Sequence, residues 1–182
     1  MKRILVFMLA AMLLFALAGC KDGGGEVVTP TVANDEMVER TLDAIYVTAD
    51  THGFVGSEYA AANGFESAVL NEDNTVTLVM TGERYNELLQ EVADALKKEV
   101  AQTPTYEDCQ HIKEITHNSD FSEITIRVVL QSFDAEGDYV AEYLASGASL
   151  YRALQGKDPS VTVITVDANG TQLSVATYPI AE

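Results

Sequence analysis

The sequence predicts an α+β domain, and three observations carry that expectation. Short extended runs recur in pairs around turn-forming clusters, two amphipathic helical stretches lie between the pairs, and apolar residues alternate with polar ones along the runs. A period of two with one apolar face marks a half-buried antiparallel strand. Strands of that kind are satisfied when helices cover the apolar face, so the expected architecture is a two-layer sandwich. It consists of an antiparallel sheet built from three hairpins, with two amphipathic helices on one side.

The elements follow in order. Asn34 or Asp35 is a cap for a looser N-terminal helix, with Val38, Leu42, Ile45 and Ala49 at helical spacing. Residues 51–64 are rich in Gly, Ala and Asn and show no clear period. The first hairpin turns at Asn71-Glu72-Asp73-Asn74, after which Val76, Leu78 and Met80 alternate with Thr75, Thr77 and Val79. A helix comes next. Tyr85, Leu88, Leu89, Val92, Leu96 and Val100 form its stripe opposite Glu83, Glu87, Asp94, Lys97 and Lys98, with Thr81 as cap and Pro104 beyond the end.

The second hairpin turns at Asn118-Ser119-Asp120-Phe121, and Ile124, Ile126, Val128 and Leu130 alternate with Thr125, Arg127 and Val129. A second helix starts after Asp134, carries Val140, Tyr143, Leu144, Ala148, Tyr151 and Leu154 on its stripe, and stops at Gly156. The last hairpin turns at Asp167-Ala168-Asn169-Gly170, whose Asn-Gly pair suits a tight connection, and Leu173 and Val175 then alternate with Gln172 and Ser174. Asn71, Asn118 and Asp167 are nearly evenly spaced, which suggests a repeated ββα unit.

Composition narrows the function. The formal net charge is −17, and a surface this acidic repels phosphate backbones, which excludes a nucleic-acid partner and favours solubility or cationic partners. Lys2 and Arg3 are followed by an uncharged apolar run from Ile4 to Leu17 and then by Ala18-Gly19-Cys20, the order of an export signal ending in small residues. The run is shorter than the roughly 20 residues needed to cross a bilayer core. Lys21-Asp22-Gly23-Gly24-Gly25 follows, a solvated and flexible composition.

The run Leu17-Ala18-Gly19-Cys20 resembles the bacterial lipobox. That resemblance implies cleavage before Cys20, acylation (palmitate) of its sulfur, and attachment to the extracytoplasmic face of the cell membrane through acyl chains. Each buried methylene of such a chain contributes about 0.8 kcal/mol. Residues 1–19 are then the signal peptide, 20–33 the lipidated cysteine and tether, and 34–182 a single domain. Residues 21–33 extend to about 45 Å at most.

Phe121, Tyr143, Tyr151-Arg152-Ala153-Leu154-Gln155-Gly156, Val161 and Tyr178-Pro179 resemble a group of small Gram-positive lipoproteins labelled as similar to the N-terminal part of streptococcal antigen I/II. The resemblance implies a non-enzymatic role at the cell surface and supplies no functional residues.

Candidate chemistry is sparse. Cys109 has only the lipobox cysteine as an intrachain counterpart and sits beside Asp108, which disfavours a thiolate. His111 and His117 share strand parity but stand about 20 Å apart, too far for one zinc ion, and His52 stands alone. Asn71-Glu72-Asp73-Asn74-Thr75 and Asp134-Ala135-Glu136-Gly137-Asp138 offer alternate oxygen ligands. Counting from Asn71, Val76 replaces the Gly and Gly82 the bidentate Glu of a calcium loop.

Gly56-Ser57-Glu58 lacks the nucleophile elbow, since Val55 and Tyr59 flank it. Tyr139, Tyr143 and Tyr151 lie partly on a helix stripe, where packing explains them. The expectation is therefore no metal, no cofactor and no catalytic residue: a non-catalytic binding or interaction domain with an envelope or surface partner. The alternative is a small cell-wall hydrolase or another carboxylate-dependent enzyme, which needs two carboxyl groups about 5 to 10 Å apart.

Overall fold

The computed structural model describes residues 29–48, 50–129 and 139–179. The expected α+β class holds, with seven strands and three α-helices among the described residues. The strands are β1 (Met37–Asp43), β2 (Ser67–Leu70), β3 (Thr75–Thr81), β4 (Ile112–His117), β5 (Glu123–Val128), β6 (Val161–Val166) and β7 (Gln172–Tyr178). The helices are α1 (Gly56–Asn63), α2 (Gly82–Gln102) and α3 (Val140–Leu154). None of the described helices is long and apolar enough to cross a membrane. The chain divides into two compact units, one holding Thr29–Val92 with Leu154–Gly156 and the other Ala93–Ala153 with Lys157–Glu182.

The first unit is built on an antiparallel sheet of order β1-β3-β2. Central β3 buries Val76, Leu78 and Met80, as its alternation predicts, and faces Leu42, Arg40 and Val38 of β1 in register. This corrects the first expected helix: Val38 and Leu42 lie in a strand, only Ala44–Tyr46 makes a short 3₁₀ turn, and Ala49 lies outside the described residues. A spacing of four fits both a helix face and a strand face. The polar Arg40 between them hides the period of two.

Arg40 has a specific reason to sit on the inward parity. Its Nε donates to the Leu154 carbonyl at 2.7 Å, where the Tyr85 hydroxyl also donates at 3.1 Å, and its guanidinium lies 4.8 Å from the centre of the Tyr85 ring. Tyr85 is 1 % exposed. One carbonyl of a helix end, which the helix itself leaves without a partner, is thus satisfied by two donors.

Thr81 caps α2 as expected, its hydroxyl oxygen accepting from the Arg84 amide at 3.3 Å. Gly82 is required there because a Cβ would overlap the Ala33 carbonyl oxygen. Ahead of the sheet, the Asn86 amide brackets the Val32 backbone, accepting from its N–H at 3.0 Å and donating to its carbonyl at 2.8 Å. Helix α1, which lacks a readable period, buries only Ala60. Around it Phe54, Tyr59 and Phe65 form a row of tilted rings with centroids 5.4 and 6.0 Å apart.

The second unit holds a sheet of order β4-β5-β6-β7. The hairpins β4-β5 and β6-β7 are antiparallel as expected, but β5 and β6 run parallel, joined by the crossover that contains α3. Two sheets, one of them mixed, therefore replace the expected single antiparallel sheet. The order ββα does occur twice. Its surroundings differ, because β3 is flanked by an antiparallel β1 and β5 by a parallel β6. A parallel neighbour demands a crossover, and nothing in the run Val161-Thr162-Val163-Ile164-Thr165-Val166 distinguishes parallel from antiparallel pairing.

Helix α3 buries Val140, Leu144, Ala148, Tyr151 and Leu154, the residues of its predicted stripe apart from half-buried Tyr143. It ends as expected at Gly156, whose φ is 70°, with the Lys157 amide donating back to the Arg152 carbonyl at 3.0 Å. Tyr151 meets Phe121 edge-on at 5.6 Å, and both are fully buried.

Replacing Arg40 by Met keeps the stem and removes the charged donor. The expected loss is about 2 kcal/mol, read as a lower urea midpoint with an unchanged slope. A midpoint equal to that of wild type would show that Tyr85 alone satisfies the Leu154 carbonyl.

Candidate interaction surface

Leu17, Ala18, Gly19 and Cys20 lie outside the described residues, as does the acidic cluster from Asp134 to Asp138. The other cysteine, Cys109, is 3 % exposed in a 3₁₀ turn, its N–H donating to the Tyr106 carbonyl at 3.0 Å.

The histidines do not converge. A bulge between Ile112 and Glu114 shifts the register of β4, so Ile112, Ile115 and His117 share the core-facing side and His111 falls on the other. This corrects the expected common face. His117 stacks on Phe121 at 4.1 Å, and its Nδ1 lies 2.8 Å from the Asn118 carbonyl, to which it donates. His52 is fully exposed beside Asp50. Among the described residues no group of three or more His, Cys, Asp or Glu side chains is placed to hold a metal ion.

The acidic turn at Asn71 is a hairpin device. Asp73 accepts from the Thr75 amide at 3.1 Å and from its hydroxyl at 2.7 Å, while Asn71 Nδ2 donates to the hydroxyls of Thr75 and Thr77. Those bonds hold the Asp73 carboxyl below the ordinary range. Asp167 is lowered in the same way, by the Thr171 amide first and then by Asn169, with its Oδ1 at 2.7 and 2.8 Å from those nitrogens.

A polar network of the second unit centres on Arg152, 9 % exposed near the end of α3. Its NH1 bonds Asp120 Oδ2 at 2.8 Å and its Nε donates to the Asp158 carbonyl at 2.8 Å, while Lys157 Nζ stands 3.7 Å from the same Asp120 oxygen. Burial pushes the Asp120 carboxyl up, but bonds from Ser122 and Arg152 outweigh it and the group lies below the ordinary range.

Three tyrosines and a carboxylate meet near the C-terminal part of α2. The Tyr106 hydroxyl lies 3.5 Å from Glu99 Oε2 and 3.4 Å from Gln102 Oε1. Burial first, then the negative charge of Glu99, pushes the Tyr143 phenol up to about 12, with Tyr139 also in electrostatic range. At that value the Tyr143 phenol stays protonated and acts as a hydrogen-bond donor.

Among the described residues, the four-stranded sheet has one side that is mostly half-buried and one edge strand that is exposed. Cross-strand register puts Glu114, Thr116, Thr125, Arg127, Thr162 and Ile164 on the face away from Ile124, Ile126 and Val163. Arg127 ties this face together through Glu114 Oε2 at 3.3 Å and the Asp167 carbonyl at 3.3 Å. β7 is open on both sides, with Leu173 38 % and Val175 49 % exposed. This corrects the half-buried strand expected there.

Sequence reasoning missed this surface because exposure depends on β7 lying at the sheet edge. The readable signal is the absence of any charged residue from Ala168 to Ala181. Chemically, the surface offers an exposed strand at the end of the sheet, Thr hydroxyls and β-branched side chains, features used in binding by strand addition. No protein family, curated protein or solved structure matches the chain.

Two outcomes follow. A depressed carboxyl contributes stability above its unfolded pKa and loses that contribution as pH falls through its folded pKa. Arg152→Met is expected to cost about 2 kcal/mol near neutrality, discounted because Asp120 is one-third exposed. In acid unfolding curves the gap from wild type should narrow as Asp120 becomes protonated, and a gap independent of pH would remove the pair as its cause.

At the alkaline end the phenols of Tyr59 and Tyr143 ionise near 12 rather than 10.0, both raised chiefly by burial. Unfolded phenols ionise first, so stability should fall as pH rises from about 10 to 12. Ultraviolet titration of a Tyr59→Phe, Tyr143→Phe variant should lack the late-ionising fraction.

Proposed function

We propose that this chain is an exported lipoprotein, acylated on Cys20 and held at the extracytoplasmic face of the membrane, whose α+β units bind a partner at the envelope and catalyse no reaction. The single observation that carries the location is the run Leu17-Ala18-Gly19-Cys20 behind a charged start and an uncharged apolar stretch. The likeness to small Gram-positive lipoproteins supports the same reading.

Support for binding comes from the exposed edge strand of the four-stranded sheet, where Leu173 and Val175 stand exposed beside half-buried Ile164. The aspartates with shifted acidity point the same way. Asp73, Asp120, Asp158 and Asp167 are all lowered and all tied to turn amides, whereas a general acid needs a carboxyl that is raised.

The test uses the full chain in its native membrane. Cys20→Ala should move the protein from the membrane pellet to the soluble exported fraction, and mass spectrometry should show the diacylglyceryl group only in wild type. Retention of the variant in the pellet with an unaltered N-terminus would overturn the anchoring. Turnover of wall polymer by the purified wild type would overturn the non-catalytic role.

A further inference from the structure

We propose that Glu99 and Gln102 at the end of α2, with the rings of Tyr106, Tyr139 and Tyr143 around them, form a binding site for a primary alkylammonium group. This deepens the binding reading, on which it rests, by naming the chemistry of the partner. A lysine side chain of a protein and an amine-bearing saccharide share that group.

A surplus of acceptors supplies the first argument. The Tyr106 hydroxyl has one proton for two acceptors, Glu99 Oε2 at 3.5 Å and Gln102 Oε1 at 3.4 Å, and both distances are long for such bonds. The Tyr143 hydroxyl also bonds Glu99. An ionised carboxylate accepts about four hydrogen bonds and donates none, so Glu99 and Gln102 have room for further donors. Glu99 is half-buried, and among the described residues no Lys, Arg or His side chain forms an ion pair with it. A carboxylate partly withdrawn from water is completed by a cation.

The field points the same way. α2 ends at Gln102 with no basic residue in its last turn, so the negative end of its macrodipole has no side chain of its own to meet it. The chain as a whole carries a formal −17, which raises the local concentration of cations and repels anions.

The rings supply the walls. The Tyr143 amide donates to the Tyr139 carbonyl at 2.9 Å, so the two residues stand one turn apart and project from one face. The Tyr143 phenol lies within electrostatic range of Glu99, Tyr106 and Tyr139, which brings all four groups to one place. Tyr139 is 62 % and Tyr106 43 % exposed, and among the described residues none of the three rings packs on another aromatic ring. Their faces are thus left for a cation and its methylene stem.

The acceptors are also held in place before any ligand arrives. The Thr103 hydroxyl donates to the Glu99 carbonyl and the Thr105 hydroxyl to the Gln102 carbonyl, each at 2.7 Å, while the Tyr106 amide donates to the Thr103 carbonyl at 3.2 Å. Open acceptors select N–H donors. A quaternary ammonium has the charge but none of these.

The experiment uses the full acylated chain in nonionic micelles at fixed ionic strength, with ring-labelled tyrosines read by nuclear magnetic resonance. n-Butylammonium should shift the signals of Tyr106, Tyr139 and Tyr143 saturably, and n-butanol should not. Tetramethylammonium should bind about tenfold more weakly, and Glu99→Gln should weaken n-butylammonium by about tenfold or more. Tyr139→Ala should weaken it about two- to fivefold. Glu72→Gln, which removes the same charge from an exposed turn of the first unit, should leave binding unchanged. Of N-acetyl-lysine methylamide and glucosamine, the tighter binder identifies the source of the group.

Absence of saturable shifts at these rings, equal binding of tetramethylammonium, or equal weakening by Glu72→Gln and Glu99→Gln overturns the site. Should Glu99→Gln lower the urea midpoint, Tyr139→Ala decides, because its ring is exposed, and full-strength binding by that variant overturns the site as well. None of these results bears on the release of Cys20→Ala from the membrane. Turnover of wall polymer overturns the non-catalytic role whether or not the ammonium binds.

Discussion

Burial of the Arg152 guanidinium is the constraint on which the second unit depends. A charge taken out of water must find partners of fixed geometry or destabilise the fold. Arg152 finds them in the carboxylate of Asp120 and the carbonyl of Asp158. The first belongs to the β4-β5 turn and the second to the segment leading into β6. One side chain therefore gathers the turn before β5, the end of α3 and the approach to β6, the pieces that must be held for β5 and β6 to lie parallel. Phe121, with φ of 56°, is kept in its unusual conformation in the same turn, between the His117 ring and the edge of Tyr151.

Six of the 28 acidic residues have a structural role that the residue count conceals. Asp43, Asp50, Asp73, Asp120, Asp158 and Asp167 each accept a hydrogen bond from the backbone N–H two residues further on, at distances from 2.8 to 3.2 Å. A carboxylate used in this way mimics one residue of a turn and fixes where the chain reverses. These six aspartates are thus distributed one to a bend.

Legibility follows from where local chemistry decides the outcome. The three hairpin turns are readable because Asn, Asp and Gly at their corners serve the turn itself, and α2 and α3 because their stripes repeat over several turns. α1 is not, since a helix that buries one alanine leaves no stripe. β1 reads as a helix because Arg40 occupies an inward position for the sake of a carbonyl more than a hundred residues away in sequence. The parallel pairing of β5 with β6 depends on a crossover, and strand composition does not record it. The exposure of Leu173 and Val175 is hidden because alternation predicts a buried face only when something covers it. The run Leu17-Ala18-Gly19-Cys20 is a reading of local sequence alone, and it lies outside the described residues.

The bracket formed by Asn86 around Val32 has a mechanical consequence. Traction on the chain at Val32 meets two hydrogen bonds to one amide, then the Gly82 and Glu83 amides that donate to the carbonyls of Glu36 and Asn34. Only after these does it reach the ladder between β1 and β3. The start of α2 therefore acts as a strain relief, taking up tugs along the backbone before they can peel the first strand from its sheet.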